Sequence, residues 1–233
     1  MNKKETLIQA TSAVPKIEAT SLTQSLSCEI SSASLVCLLG PRINALNSHM
    51  EMLAGIIAPD SGSVNYSNNL STDNNYSTIS YIYHNSTLLS ILTGIDNVKA
   101  PALYHHFAPV NEIDREAEIL LAELNYGADH KILPAFMTAL QKKHLLVVRA
   151  IFLKPKILFL ENPFNDLDKE QIQVFGNYLV QLVKRKNITI VTSNVNSDFA
   201  QHHADQVIYL SSTDTHVFEQ KQDFCSFLQL TSI

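Results

Sequence analysis

The sequence predicts an α/β protein built around a largely parallel sheet. Three observations carry this. Short apolar runs alternate with amphipathic helical segments along most of the 233 residues. The run 34–39 (Ser-Leu-Val-Cys-Leu-Leu) is continuously apolar, which suits a central strand covered on both faces, and Gly40 and a helical segment follow it at once. Two similar runs, 157–160 and 188–192, flank a helix over 168–186 that opens with acids and closes with Lys184-Arg185-Lys186, as the helix dipole favours.

The remaining elements follow in order. Residues 1–15 are polar and expected to be loose, and weak alternation over 16–30 suggests two short strands. A helix follows Gly40, with Met50, Met52, Leu53, Ile56 and Ile57 as its apolar positions. Residues 59–64 read as a turn leading into a strand, and 65–78, rich in Asn, Ser and Thr, as a loop. A strand is expected at 79–83. Partial helix is expected over 86–106, with Leu88, Leu89, Leu92, Ile95 and Val98 on one side. Helices over 111–126 and 140–153 precede the run at 157–160. A short helix at 198–203, strands at 206–210 and 216–219, and a helix at 221–230 end the chain. No internal repeat is visible.

Composition narrows the function. Hydrophobic content of 45% and charged content of 17% describe a globular chain long enough for a substantial core. Net charge is −5 without long runs of either sign, which argues against nucleic acid as a partner. Cys28, Cys37 and Cys225 are far apart in apolar contexts and read as buried thiols in a reducing compartment. The apolar stretch 145–160 is interrupted by Arg149, Lys154, Pro155 and Lys156, so no membrane span is expected, and the first residues do not form a signal peptide. The histidine pairs His105-His106 and His202-His203 lack helical ligand spacing, so no metal is expected. Only six glycines are present, where average usage of about 7% would give roughly sixteen.

The stretch 40–48 stands where a phosphate-binding loop, G-x-x-x-x-G-K-[ST], follows a buried strand. Gly40 keeps the first glycine; Ala45, Leu46 and Asn47 replace the second glycine, the lysine and the hydroxyl residue, with Ser48 next. Further phrases accumulate in order: 53–64 (Leu-Ala-Gly-Ile-Ile-Ala-Pro-Asp-Ser-Gly-Ser-Val), 149–160 (Arg-Ala-Ile-Phe-Leu-Lys-Pro-Lys-Ile-Leu-Phe-Leu) and 163–168 (Pro-Phe-Asn-Asp-Leu-Asp). Together, from about Lys16 onward, they resemble the ATP-binding subunit of ABC transporters: the stretch after its Walker A loop, the run from signature helix into Walker B strand, and its D-loop.

The resemblance implies a P-loop NTPase-like core with a small N-terminal antiparallel β part and a helical signature subdomain. The whole chain, 1–233, would form one such domain, with the helical part at about 86–150. It also assigns positions. Glu161 corresponds to the Walker B aspartate, Asn162 to the glutamate that acts on the attacking water, and Ser193 to the switch histidine. His84 corresponds to the Q-loop glutamine. Met137-Thr138-Ala139-Leu140-Gln141 corresponds to the signature loop, and Asp168 belongs to the D-loop. An amide such as Asn162 accepts no proton at neutral pH, so general-base help worth about 10²–10⁴-fold would be missing. Ile43 would resist a left-handed conformation, and Leu46 would expose an apolar side chain to a polyanion. The adenine-stacking aromatic of active relatives is absent from 22–30.

The resemblance therefore points to a degenerate, non-hydrolysing subunit on the inner face of a membrane. No catalytic residue and no resident cofactor are expected, with ATP and magnesium bound only at a partner's site or in a residual capacity. Region 84–106 would receive the transmembrane subunits, and Leu92–Pro101 loosely resembles lipid- and lipoprotein-handling exporters. The chain would dimerise with itself or with an active relative. A soluble regulatory protein reusing the fold, and a slow ATPase, are the alternatives.

Overall fold

The computed structural model describes residues 4–16, 24–70, 78–124, 129–193 and 197–231. Along the chain run β1 (Thr6–Pro15), β2 (Leu26–Ser31), β3 (Leu35–Leu39), α1 (Ile43–Leu53), β4 (Pro59–Tyr66), β5 (Ile79–Ile82), α2 (Gly94–Tyr104), α3 (Val110–Glu123) and α4 (Ala139–Ile151). Then come β6 (Ile157–Glu161), α5 (Lys169–Lys186), β7 (Thr189–Ser193), α6 (Ser197–His203), β8 (Gln206–Leu210), β9 (Thr215–Phe218) and α7 (Lys221–Thr231).

Six strands form the main sheet in the order β5-β6-β7-β3-β8-β9, all parallel except β9, which runs antiparallel to β8. All five residues of β3 are buried, and their alternation sorts them to opposite faces. Leu35, Cys37 and Leu39 pack with Phe175 and Leu179 of α5 and with Phe199 and Phe224. Val36 and Leu38 pack with Leu46, Met50 and Leu53 of α1, and with the second sheet. Cover on both sides is why this strand reads as an unbroken apolar run. A third cluster joins α2, α3 and α4 through Val98, Ala102, Ile113, Ala117, Leu121, Leu145 and Val148.

The second sheet is antiparallel, ordered β2-β1-β4. It corrects the expectation of a loose 1–15. Leu7, Ile8, Ala10 and Ala13 are buried against α1 and β2, and the polar residues between them face outward. The alternation was present but diluted by threonine, serine and glutamine. The turn expected over 59–64 is likewise part of β4. Gly62 has φ +73°, and a Cβ there would lie 2.2 Å from the Ser12 carbonyl oxygen. Ser12 is itself left-handed at φ +46°, so both strands kink together and only glycine fits the closer one.

The other expected elements are found with shifted ends. Helix in 86–106 is confined to α2, and the helix expected over 111–126 is α3, with 125–126 outside the described residues. Of the weakly alternating stretch, 17–23 also lies outside them. Among the described residues no helix is long and apolar enough to cross a membrane. Cys28 and Cys37 are buried free thiols; burial pushes Cys28 up to about 12 and raises Cys37 as well, while Cys225 is half-buried.

Candidate functional site

Ligands of open parallel sheets bind beyond the carboxyl ends of the strands. Five of the sequence-predicted positions stand there together. His84 follows β5, Glu161 and Asn162 end β6, Ser193 ends β7, and α1 carries Asn47 away from β3. The register pairs Glu161 with Ser193 and Ser193 with Leu38.

At the loop, α1 begins at Ile43, three residues after Gly40. The Leu46 amide donates to the Arg42 carbonyl at 3.1 Å, as helical amides do, so it does not turn out toward a ligand. None of residues 41–48 has a left-handed φ. The expected exposure of Leu46 is corrected: its side chain is 0% exposed, packed in the core with Met50 and Leu53. Ile43 avoids strain by taking the first helical position. Gly40 has a packing reason of its own, since a Cβ would lie 2.4 Å from the Leu210 carbonyl oxygen at the end of β8. One turn along, the buried His49 ring sits between the Ala45 carbonyl at 2.7 Å and the Gln24 carbonyl at 2.8 Å, tying α1 to the entry of β2.

The polar side chains at the strand ends are engaged with one another. The Asn162 backbone N–H donates to Ser193 Oγ at 2.9 Å, and Ser193 Oγ donates to the side chain of Asn47, at Oδ1, at 3.1 Å. Ser193 is fully buried, and Asn162 sits at φ +40°, which asparagine tolerates. The buried Glu161 carboxylate accepts three hydrogen bonds. Tyr81 Oη donates to Oε1 at 2.6 Å; the His84 backbone N–H and ring Nδ1 lie 3.0 Å from Oε2. Burial, then the hydrogen bond to Glu161, raise the Tyr81 phenol. Burial and the Glu161 charge also raise the carboxyl of Glu51 on α1. Among the described residues no group of three His, Cys, Asp or Glu could hold a metal ion.

The signature positions lie on a different edge. Thr138 and Gln141 cap α4 reciprocally: the Gln141 amide donates to Thr138 Oγ1 at 3.2 Å, and the Thr138 amide to Gln141 Oε1 at 2.8 Å. Ala139 is exposed, and Leu140 is half-buried against the core. Asp168 caps α5 in the same manner with Gln171. Asn194 and the start of the 22–30 segment lie outside the described residues.

Two residues with structural leverage escaped the sequence reading. Tyr81 gives no sign of its acid partner in a strand of aromatics. Asn97 is a polar residue inside an apolar helical stripe, which was a usable signal. It is 0% exposed; its Nδ2 reaches the carbonyls of Leu89, Leu92 and Thr93 at 3.0–3.1 Å, and its Oδ1 accepts from the Leu89 amide at 2.7 Å. The loop it staples presents Leu89 and Ile91, 51% and 85% exposed. From there the Gly94 and Ile95 amides donate to the carbonyls of Ile132 and His130, in the segment that leads to Thr138.

Comparison with known proteins accords with this geometry. The family described as "ABC transporter" matches residues 23–165, well over half of the chain. A sulfate/thiosulfate import ATP-binding protein CysA from Mesostigma viride is 25% identical over 197 residues, 84% of this chain and 56% of its own length. A lipoprotein-releasing system ATP-binding protein, LolD 1 of Rhodopirellula baltica, is 25% identical over 184 residues, 75% of this chain and 80% of its own length. The chain thus spans little more than half of the sulfate-import relatives. Among solved structures, cbiO1 from Clostridium perfringens, part of the ABC transporter complex cbiONQ, superposes with a TM-score of 0.83 at 17% identity, over 98% of this chain and 94% of that one. A dimeric post-hydrolysis cassette bound to ADP and phosphate, MJ0796, gives 0.73 at 16% identity, over 91% of this chain and 98% of that one. A second structure of the MJ0796 cassette, at 17% identity, is likewise dimeric. The chain belongs to the ABC transporter family, on the side of its ATP-binding subunits.

Proposed function

We propose that this chain is a non-hydrolysing ATP-binding-cassette subunit of a membrane transporter, acting beside an active ATPase partner. The observation that carries the reading is the run of hydrogen bonds from the Asn162 backbone N–H through Ser193 Oγ to Asn47 Oδ1, set beside the buried Leu46. The side chains that would touch metal and γ-phosphate, Asn47 and Ser193, are bonded to one another, and the backbone at Asn162 holds the same hydroxyl. The residues do not fit ATP with magnesium. A polyanion needs outward amides and a cation; here the Leu46 amide is helical and its side chain apolar. Glu161, the one acid kept at these positions, already accepts three hydrogen bonds.

Region 84–106 is the proposed seat of the transmembrane subunits. Its support is the stapled loop, whose exposed Leu89 and Ile91 are held in place before any partner arrives. A preorganised apolar surface loses little entropy on docking. Thr138 and Gln141 would face the partner cassette, and a heterodimer is favoured over a homodimer because a driven transporter needs one intact motor. We assign the chain to the inner face of the membrane as a peripheral subunit, with its 1–233 length as one domain.

Isolation of the chain from its own cells in detergent tests this reading. Membrane subunits and a second, intact cassette are expected to accompany it, and the purified chain alone is expected to show no magnesium-dependent ATP turnover. A chain free of membrane proteins would favour a soluble regulatory role, and turnover abolished by Glu161→Ala would make it an ATPase.

A further inference from the structure

A second polar cavity lies at the opposite, amino-terminal end of the parallel strands. Its volume is about 610 Å³. Basic side chains enter it from four separate places: Lys184 from the end of α5, His202 and His203 from the end of α6, Lys221 from the start of α7, and Lys4 from before β1. None of these lysines is in an ion pair among the described residues, although two acids line the same cavity. The three lysines outnumber the two acids, and each acid already accepts a hydrogen bond. Asp205 accepts from the Leu35 amide at 2.9 Å, and Glu219 accepts from Gln206 Nε2 at 2.8 Å.

The cations are only lightly used. Lys4 donates to the Ala33 carbonyl at 2.7 Å and Lys221 to the His202 carbonyl at 3.1 Å, which leaves each ammonium with further donors. Lys184 has no hydrogen-bond or ion-pair partner among the described residues. The carbonyl ends of α5 and α6 explain why cations are tolerated here, each end carrying roughly half a negative charge. They do not explain Lys4, or Lys221, which stands at the positive end of α7. The field at the centre of the cluster is positive: burial first, then the neighbouring His202, Lys221 and Lys184, hold the His203 ring below its ordinary value.

We propose that this cavity binds a small phosphate-type oxyanion, free or carried on a small molecule, between Lys184, Lys221 and His203. The site is remote from the carboxyl ends of the strands and independent of the nucleotide positions there.

The test is titration of the full chain with sodium phosphate, and separately with adenosine monophosphate, at constant ionic strength, followed by residue-resolved NMR. Saturating shifts at Lys184, His203 and Lys221 are expected with at least one probe, without matching shifts at Gly40–Ser48. Sodium chloride at the same ionic strength is expected to leave them in place. Tighter binding of the nucleotide would identify a carried phosphate, and equal binding a free one. The double variant Lys184→Gln/Lys221→Gln, both at exposed positions, is expected to weaken binding at least tenfold. Non-saturating shifts, shifts reproduced by chloride, or binding unchanged in the double variant would overturn the proposal.

Discussion

Ser193 Oγ lies 3.1 Å from Asn47 Oδ1 and donates to it, joining the end of β7 to the first helix across the mouth of the sheet. In the proposed reading, both residues occupy positions that would otherwise serve a bound nucleotide. Here each satisfies the other, and the buried hydroxyl needs nothing further.

Reintroducing the missing cation should fail on stability. Leu46 is fully buried among Met50, Leu53 and the residues of β3. Leu46→Lys would bury an ammonium without a partner, at a cost of about 3–5 kcal/mol. Urea unfolding should show a lowered midpoint, and the variant should gain no ATP binding.

Asn97→Leu keeps the volume but removes four hydrogen bonds. It leaves the Leu89 amide and three carbonyls without that partner, and a loss of about 3 kcal/mol is expected. Hydrogen exchange at Leu89 should accelerate more than at β3, since the loop is released while the sheet stays.

Thr138→Ala removes the side-chain half of the α4 cap. A loss of about 1 kcal/mol is expected by thermal or urea unfolding. A much larger loss would mean that the signature-position loop carries more than a helix end.

His144 makes stability fall with acid. Burial between Phe175 and Tyr178 pushes its ring down to about 4, against an ordinary 6.5. Between these values the unfolded chain binds the proton and the folded chain does not. Stability is therefore whole above pH 6.5 and declines toward pH 4, by about 2–3 kcal/mol from this group. His144→Gln should flatten that part of the stability–pH curve.

Much of the fold was legible because two covers make a strand nearly continuously apolar: β3 and β6 announce themselves in this way, and β7 by its Ile190-Val191 core. β1 was not, because one of its faces is open and its outward residues are Gln9, Thr11 and Ser12. The site was legible as a set of substitutions, not as an arrangement. That Asn162, Ser193 and Asn47 would bond to each other depends on the order β6-β7-β3, which no local pattern encodes. Leu46 was misread for the same reason: its burial follows from where α1 begins, one turn earlier than a phosphate loop would allow.

The most direct measurement is titration calorimetry of the purified full chain with ATP and magnesium. The account predicts no saturable heat attributable to residues 40–48, and the same trace for Ser193→Ala. Tight, magnesium-dependent ATP binding that protects the amides of Gly40–Ser48 from exchange would contradict it.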